Sequence, residues 1–97
     1  MNPQLIERIT ARYQTASAWD RFHVRQRLRL GGYEQLLPFF PESGTVLDIG
    51  CGFGLLGWYL AETRPGLEYY GADVDARKIA VARAAFEIGR ASCRERV

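Results

Sequence analysis

The chain is poor in the residues that stabilise small proteins by cross-linking. It has two cysteines, Cys51 and Cys93, and a single histidine, His23, in 97 residues. Two thiols make neither a disulfide scaffold nor a zinc cluster, and one imidazole without partner ligands holds no metal. Stability must therefore come from burial. No apolar run approaches the roughly 18 residues a membrane span needs. The start, Met1-Asn2-Pro3-Gln4, lacks the basic and apolar stretches of a secretory leader, so no membrane span and a cytoplasmic location are expected. Internal repeats and low-complexity segments are absent as well. Hydrophobic residues at 47%, charged residues at 25% and a mean hydropathy of -0.19 are those of an ordinary globular chain. Its length allows one small domain.

Charge of one sign is also nearly lacking. The formal net charge of +2 comes from 13 basic and 11 acidic groups. Much of that excess lies in residues 87–97, Glu-Ile-Gly-Arg-Ala-Ser-Cys-Arg-Glu-Arg-Val, which resemble the one-frame translation of a sequencing adaptor. Such a stretch is expected to be a non-native tail that stands outside the fold. Without Arg90, Arg94, Arg96 and Glu95 the signs balance, so net charge is no argument for nucleic acid or membrane binding.

What is present is a change of periodicity near residue 43. Before it, Asn2-Pro3 is a helix start, and Leu5, Ile6, Ile9 and Tyr13 recur at helical spacing, predicting a helix over 3–15. Asp20 is expected to cap a second helix carrying Phe22, Val24, Leu28 and Leu30, interrupted at Gly31-Gly32 and resumed over 33–40 until Pro38 and Pro41 end it. After it, Thr45-Val46-Leu47-Asp48-Ile49 reads as a buried strand between Gly44 and Gly50. A helix over 55–64, a turn at Pro65-Gly66, a strand over 67–72 and a helix over 76–86 capped by Asp75 follow. A β-α-β-α order implies two parallel strands with a right-handed crossover, the opening of a Rossmann-like α/β sheet. Three regions are expected: an N-terminal helical arm or cap (1–42), the first half of a ligand-binding domain (43–86) and the tail (87–97).

The chemistry sits where the first strand meets its helix. The glycines of Gly50-Cys51-Gly52-Phe53-Gly54 let backbone approach a ligand, and the amides opening the next helix favour anionic groups. Such a loop alone suits phosphate, dinucleotide or carboxylate. The spacing G-x-G-x-G differs from the dinucleotide G-x-G-x-x-G, since residue 55 is Leu. Asp48 lies inside an apolar strand, where an unpaired carboxylate would cost several kcal/mol, so a cationic partner is expected. A ligand bearing both an ammonium and a carboxylate would satisfy Asp48 and the helix start together. At the end of the second strand, Asp73 falls nineteen positions after Gly54, close to the ~20 residues at which an acid meets a ribose in such folds. Val74 is expected to cover an adenine face. Amino acid, ribose and base together describe S-adenosyl-L-methionine.

These two motifs resemble those of the class I S-adenosylmethionine-dependent methyltransferases, over about residues 45–86. The resemblance implies a truncated Rossmann-like fold, with Asp48, Gly50, Cys51, Gly52, Phe53 and Gly54 on the methionine side of the cofactor and Asp73 and Val74 at its ribose and adenine. Cys51 is then a small loop residue rather than a nucleophile, and Phe53 packs the loop. The family's later strands, whose fourth brings a loop against the transferred methyl, are missing, so no catalytic base is assigned and the piece is expected to be inactive alone. The acceptor is expected to be a small molecule. Two other readings are a non-catalytic nucleotide-binding scaffold and an NAD-dependent oxidoreductase, the latter disfavoured by the glycine spacing and Asp48.

The arm itself is ambiguous. Arg8, Arg12, Arg21, Arg25, Arg27, Arg29 and His23 alternate with Tyr13, Trp19 and Phe22, a pattern that suits either an RNA-binding face or a solvated helix face. The solvated face is favoured, because Glu34, Glu42, Glu62 and Glu68 offset the charge elsewhere. Trp19 and Tyr13 are expected to form a lid over the cofactor. Oligomeric state is not legible.

Overall fold

The β-branched run around Val46 forms the strand it predicts, β1 (Ser43–Ile49), and the computed structural model, which describes residues 1–89 and 95–96, pairs it parallel to β2 (Gly66–Ala72). The register runs from Ser43 opposite Gly66 to Ile49 opposite Ala72. A two-residue strand, β3 (Glu95–Arg96), adds to the far edge of β2, so the order is β1-β2-β3 and β2 is central. This differs from the expected tail outside a two-stranded sheet: residues 87–89 continue a helix and 95–96 pair as a third parallel strand, while residues 90–94, with Cys93, and 97 lie outside the described residues.

Before the sheet come α1 (Pro3–Ala11), α2 (Ala18–Leu30), α3 (Tyr33–Leu36) and a 3-10 turn (Leu37–Phe39); α4 (Leu55–Thr63) joins β1 to β2, and α5 (Ala76–Gly89) follows β2. The local signals work largely as the residue types dictate. Asn2 Oδ1 accepts from the amides of Gln4 at 2.7 Å and Leu5 at 3.4 Å, with Pro3 in the first turn. Asp75 Oδ1 accepts from the amides of Arg77 and Lys78, at 3.1 and 3.2 Å.

Two boundaries differ from expectation. α1 ends at Ala11 because the amides of Arg12 and Tyr13 turn back to Ile9 and Thr10, at 3.0 Å each, a tightened last turn that releases Tyr13 inward. α2 is capped by Ser17, whose Oγ accepts from the Asp20 amide at 3.0 Å. The carboxylate of Asp20 is free for a tertiary partner and takes one, Arg77.

One face of the sheet and the arm share a core. Ile6 and Ile9 of α1, Tyr13, and Val24 and Leu28 of α2 pack with Leu55, Trp58, Tyr59 and Leu60 of α4, Leu67 and Tyr69 of β2, and Ala85 and Phe86 of α5. Ion pairs join the pieces at their rims, Arg8 to Glu62 at 3.2 Å and Arg25 to Glu7 at 3.0 Å. The opposite face is bare, so the strand expected to be buried is not: Leu47 is 67% and Ile49 74% exposed, and no residue of β1 is buried. Phe22 and Leu30, expected on the apolar side of α2, are exposed too, since their positions point away from Val24 and Leu28.

Candidate functional site

The carboxyl ends of β1 and β2 open into a cavity of about 370 Å³, within the roughly 300–1,000 Å³ usual for small-ligand sites. Of the residues expected there, Gly50, Cys51, Gly52, Phe53 and Asp73 line it together. Asp48, Gly54 and Val74 do not. Asp48 lies beneath the loop, half-buried, and its Oδ2 accepts from the Tyr69 hydroxyl at 2.7 Å. Tyr69 lies two residues before the register partner of Asp48, Gly71, and so on the same sheet face. Within the protein, the partner of this carboxylate is a phenol. Burial first, and the bond to Asp48 next, push the Tyr69 phenol far above its ordinary value, so it stays a protonated donor. Gly54 forms the left-handed start of α4 against Phe86, and Val74 is fully exposed.

The glycine loop is held by four bonds to other segments. The amides of Gly50 and Cys51 donate to Ala72 O at 2.7 and 3.0 Å, tying the end of β1 to the end of β2. The Gly52 amide donates to Asp73 Oδ2 at 2.8 Å, while Asp73 Oδ1 accepts from the Asp75 amide at 2.8 Å. The Tyr13 hydroxyl donates to Phe53 O at 2.6 Å. Tyr13 was expected as a lid; it is buried behind the loop and braces it from the arm, because the short α1 turns its ring into the core.

Asp73 therefore holds the loop through Oδ2 and its own turn through Oδ1, and each oxygen keeps capacity for a further donor. The Asp75 and Gly52 amides, in that order, hold its carboxyl below the ordinary value of 3.8. Burial raises the Cys51 thiol, and the charges of Asp48 and Asp73 add to the rise, so it stays protonated and weakly nucleophilic. No side chain caps α4, leaving its first-turn amides open at the cavity end.

The rest of the lining comes from residues not expected in the site: Asp20, His23, Arg27 and Tyr33 from the arm, Leu55 from α4, and Arg77 and Lys78 from α5, beside Trp19. One signal was visible. Trp19, His23 and Arg27 stand four residues apart and share a helix face. Asp20 is buried and bonded by Arg77 Nη1 through both oxygens, at 3.2 and 2.9 Å, across 57 residues. Lys78 Nζ stands 5.8 Å over the Phe53 ring, which lines the cavity as well as packing the loop. His23 Nε2 is buried without a hydrogen-bond partner. Among the described residues no cluster of His, Cys, Asp or Glu could hold a metal.

A glycine cradle, an acid with spare lone pairs at the end of the adjacent strand, and an orphaned buried nitrogen fit a polar ligand with a sugar. A family profile described as "Methyltransferase small domain" matches residues 31–95. The chain belongs to this methyltransferase family. Membership makes it part of a class I fold of enzymes that use S-adenosylmethionine, and the geometry above matches the α/β reading of its motifs. The domain is also similar to proteins named "Ribosomal RNA small subunit methyltransferase C". It is 39% identical to that of Vibrio vulnificus (strain CMCP6) over 54 residues, 55% of this chain and 16% of the relative. Identity is 38% over 65 residues with that of Hamiltonella defensa subsp. Acyrthosiphon pisum (strain 5AT), 65% of this chain and 19% of the relative. With the Yersinia enterocolitica (serotype O:8 / biotype 1B, strain NCTC 13174 / 8081) protein it is 42% over 55 residues, 55% of this chain and 16% of the relative. The domain thus spans less than a fifth of the length of these curated relatives. No solved structure matches significantly. Among the described residues no helix is long and apolar enough to cross a membrane.

Proposed function

We infer that this chain is the cofactor-binding part of an S-adenosylmethionine-dependent methyltransferase whose acceptor is RNA. The observation that carries the cofactor half is Asp73, which closes the second strand, reaches back to the Gly52 amide and still faces the cavity with free lone pairs. Asp73 would hold the cofactor's ribose hydroxyls, Gly50, Cys51 and Gly52 would wall its methionine end, and the open amides of α4 would hold its carboxylate. The sulfonium supplies an electrophilic methyl group. Asp48 acts one layer down, holding Tyr69 and with it the end of β1 beneath the loop. Val74 lies outside the cavity lining and receives no adenine contact in this reading.

The acceptor half is supported by the relatives' names, which specify ribosomal RNA and favour it over the small molecule expected from the sequence. Isothermal titration of the 97-residue chain with S-adenosylhomocysteine tests the cofactor half. Saturable binding tighter than about 1 mM, or roughly 4 kcal/mol, is expected; no heat of binding at that concentration, or equal binding by NADH, sinks it.

A further inference from the structure

The arm exposes aromatic rings where solvent-facing helices usually carry polar groups. Trp19 is 68% and Phe22 47% exposed. They are not scattered: their rings stack with centroids 6.0 Å apart and planes 20° from parallel. His23 meets Trp19 edge-on at 4.4 Å and Phe22 at 5.8 Å. Isolated exposed apolar side chains are ordinary, but a contiguous group on one side of a cavity marks an interaction surface. Trp19 and His23 line the cavity and Phe22 does not, so the pair runs from the mouth outward along α2.

Charge at the mouth selects the partner. Arg27 lines it from α2, and Arg77 and Lys78 face it from α5. Of the two carboxylates in the lining, Asp20 is paired with Arg77 and Asp73 lies at the strand end against the glycine loop, which leaves Arg27 and Lys78 as the cations of the mouth. Positive charge beside open π-faces is the combination that holds unpaired nucleic acid, with bases stacking on rings and phosphates meeting cations. Duplex bases keep their faces inside the stack and have none to offer. We propose that Trp19 and Phe22 form a stacking shelf for single-stranded RNA at the cavity mouth, with Arg27 and Lys78 meeting its phosphates. The shelf rests on the RNA-acceptor reading and assigns it a place.

The test titrates a labelled single-stranded oligoribonucleotide of about 12 nucleotides, within the usual range of single-strand site sizes, with the full chain. Anisotropy reports binding anywhere, and tryptophan fluorescence reports the shelf, because Trp58 is buried and Trp19 is not. Binding with Trp19 quenching is expected. Phe22→Leu should weaken it roughly 5- to 150-fold, the loss of one base stack, while Phe22→Tyr keeps it and a duplex of the same sequence binds less well. Phe22→Leu should leave S-adenosylhomocysteine affinity unchanged, since Phe22 does not line the cavity. A rise in anisotropy without quenching, or wild-type RNA binding by Phe22→Leu, overturns the shelf and leaves the RNA reading standing. No anisotropy change overturns the RNA reading, and the shelf with it.

Discussion

Alanine at position 54 should damage the fold far more than alanine at position 52, although both glycines belong to one loop. Gly54 has φ of +79° and Gly52 of +57°, so either substitution carries the left-handed penalty of about 1–2 kcal/mol. The surroundings differ. A Cβ on Gly54 would stand 2.9 Å from Phe86 Cζ and 3.0 Å from Cε2, with Ala82 Cβ at 3.7 Å; one on Gly52 meets nothing within 4 Å. Phe86 cannot easily give way, because its ring packs 4.9 Å from that of Trp58 and 6.1 Å from that of Tyr69. Overpacking of this kind adds about 1–3 kcal/mol. Gly54→Ala should therefore lose about 2–5 kcal/mol and Gly52→Ala only the backbone share. Typical domains have about 5–15 kcal/mol in total, so the first variant should unfold at a much lower urea concentration. Urea titrations followed by Trp58 fluorescence measure both midpoints, and Phe86→Leu combined with Gly54→Ala should recover part of the loss. Equal losses at the two positions, or no recovery, would refute the contact argument.

Tyr13→Phe removes the bond to Phe53 O and should destabilise by about 1 kcal/mol, with weaker S-adenosylhomocysteine binding by titration calorimetry; unchanged affinity would mean the arm does not brace the loop. Arg77→Ala strands the buried Asp20 carboxylate and should lower stability by about 1–3 kcal/mol in thermal or urea unfolding. Asp20→Asn in that background should restore part of it. Asp73 has a folded pKa below its ordinary 3.8, so its contribution is complete above about pH 4 and disappears as pH falls through the folded value. The gap in thermal midpoint between the native chain and Asp73→Asn should accordingly stay constant near neutrality and close below about pH 4; a gap that widens with acid would contradict the bonds to Gly52 and Asp75.

Elements whose causes lie within a few residues were legible. The amides that open α1 are satisfied by Asn2, two and three positions away, and α5 begins on Asp75 in the same manner. The β-branched run at Val46 and the Gly50–Gly54 turn follow from φ/ψ preferences that residue type alone decides. The parallel pairing of β1 with β2 follows from the helix between them. Other outcomes turned on partners the spacing does not reveal. Ser17 and Asp20 are both good caps, and Ser17 took the amide while Asp20 met Arg77 across 57 residues. Asp48 met the Tyr69 phenol, 21 residues on, a partner the strand spacing does not reveal. Tyr13 became a brace because α1 closed early and its hydroxyl reached Phe53 O. Residue chemistry alone dictated strand, turn and helix start, since each is settled by hydrogen bonds and sterics over a few positions. Which carboxylate meets which donor, and which aromatic rings stay bare at the cavity mouth, was decided only when distant segments packed, because those interactions depend on distances that exist solely in the folded chain.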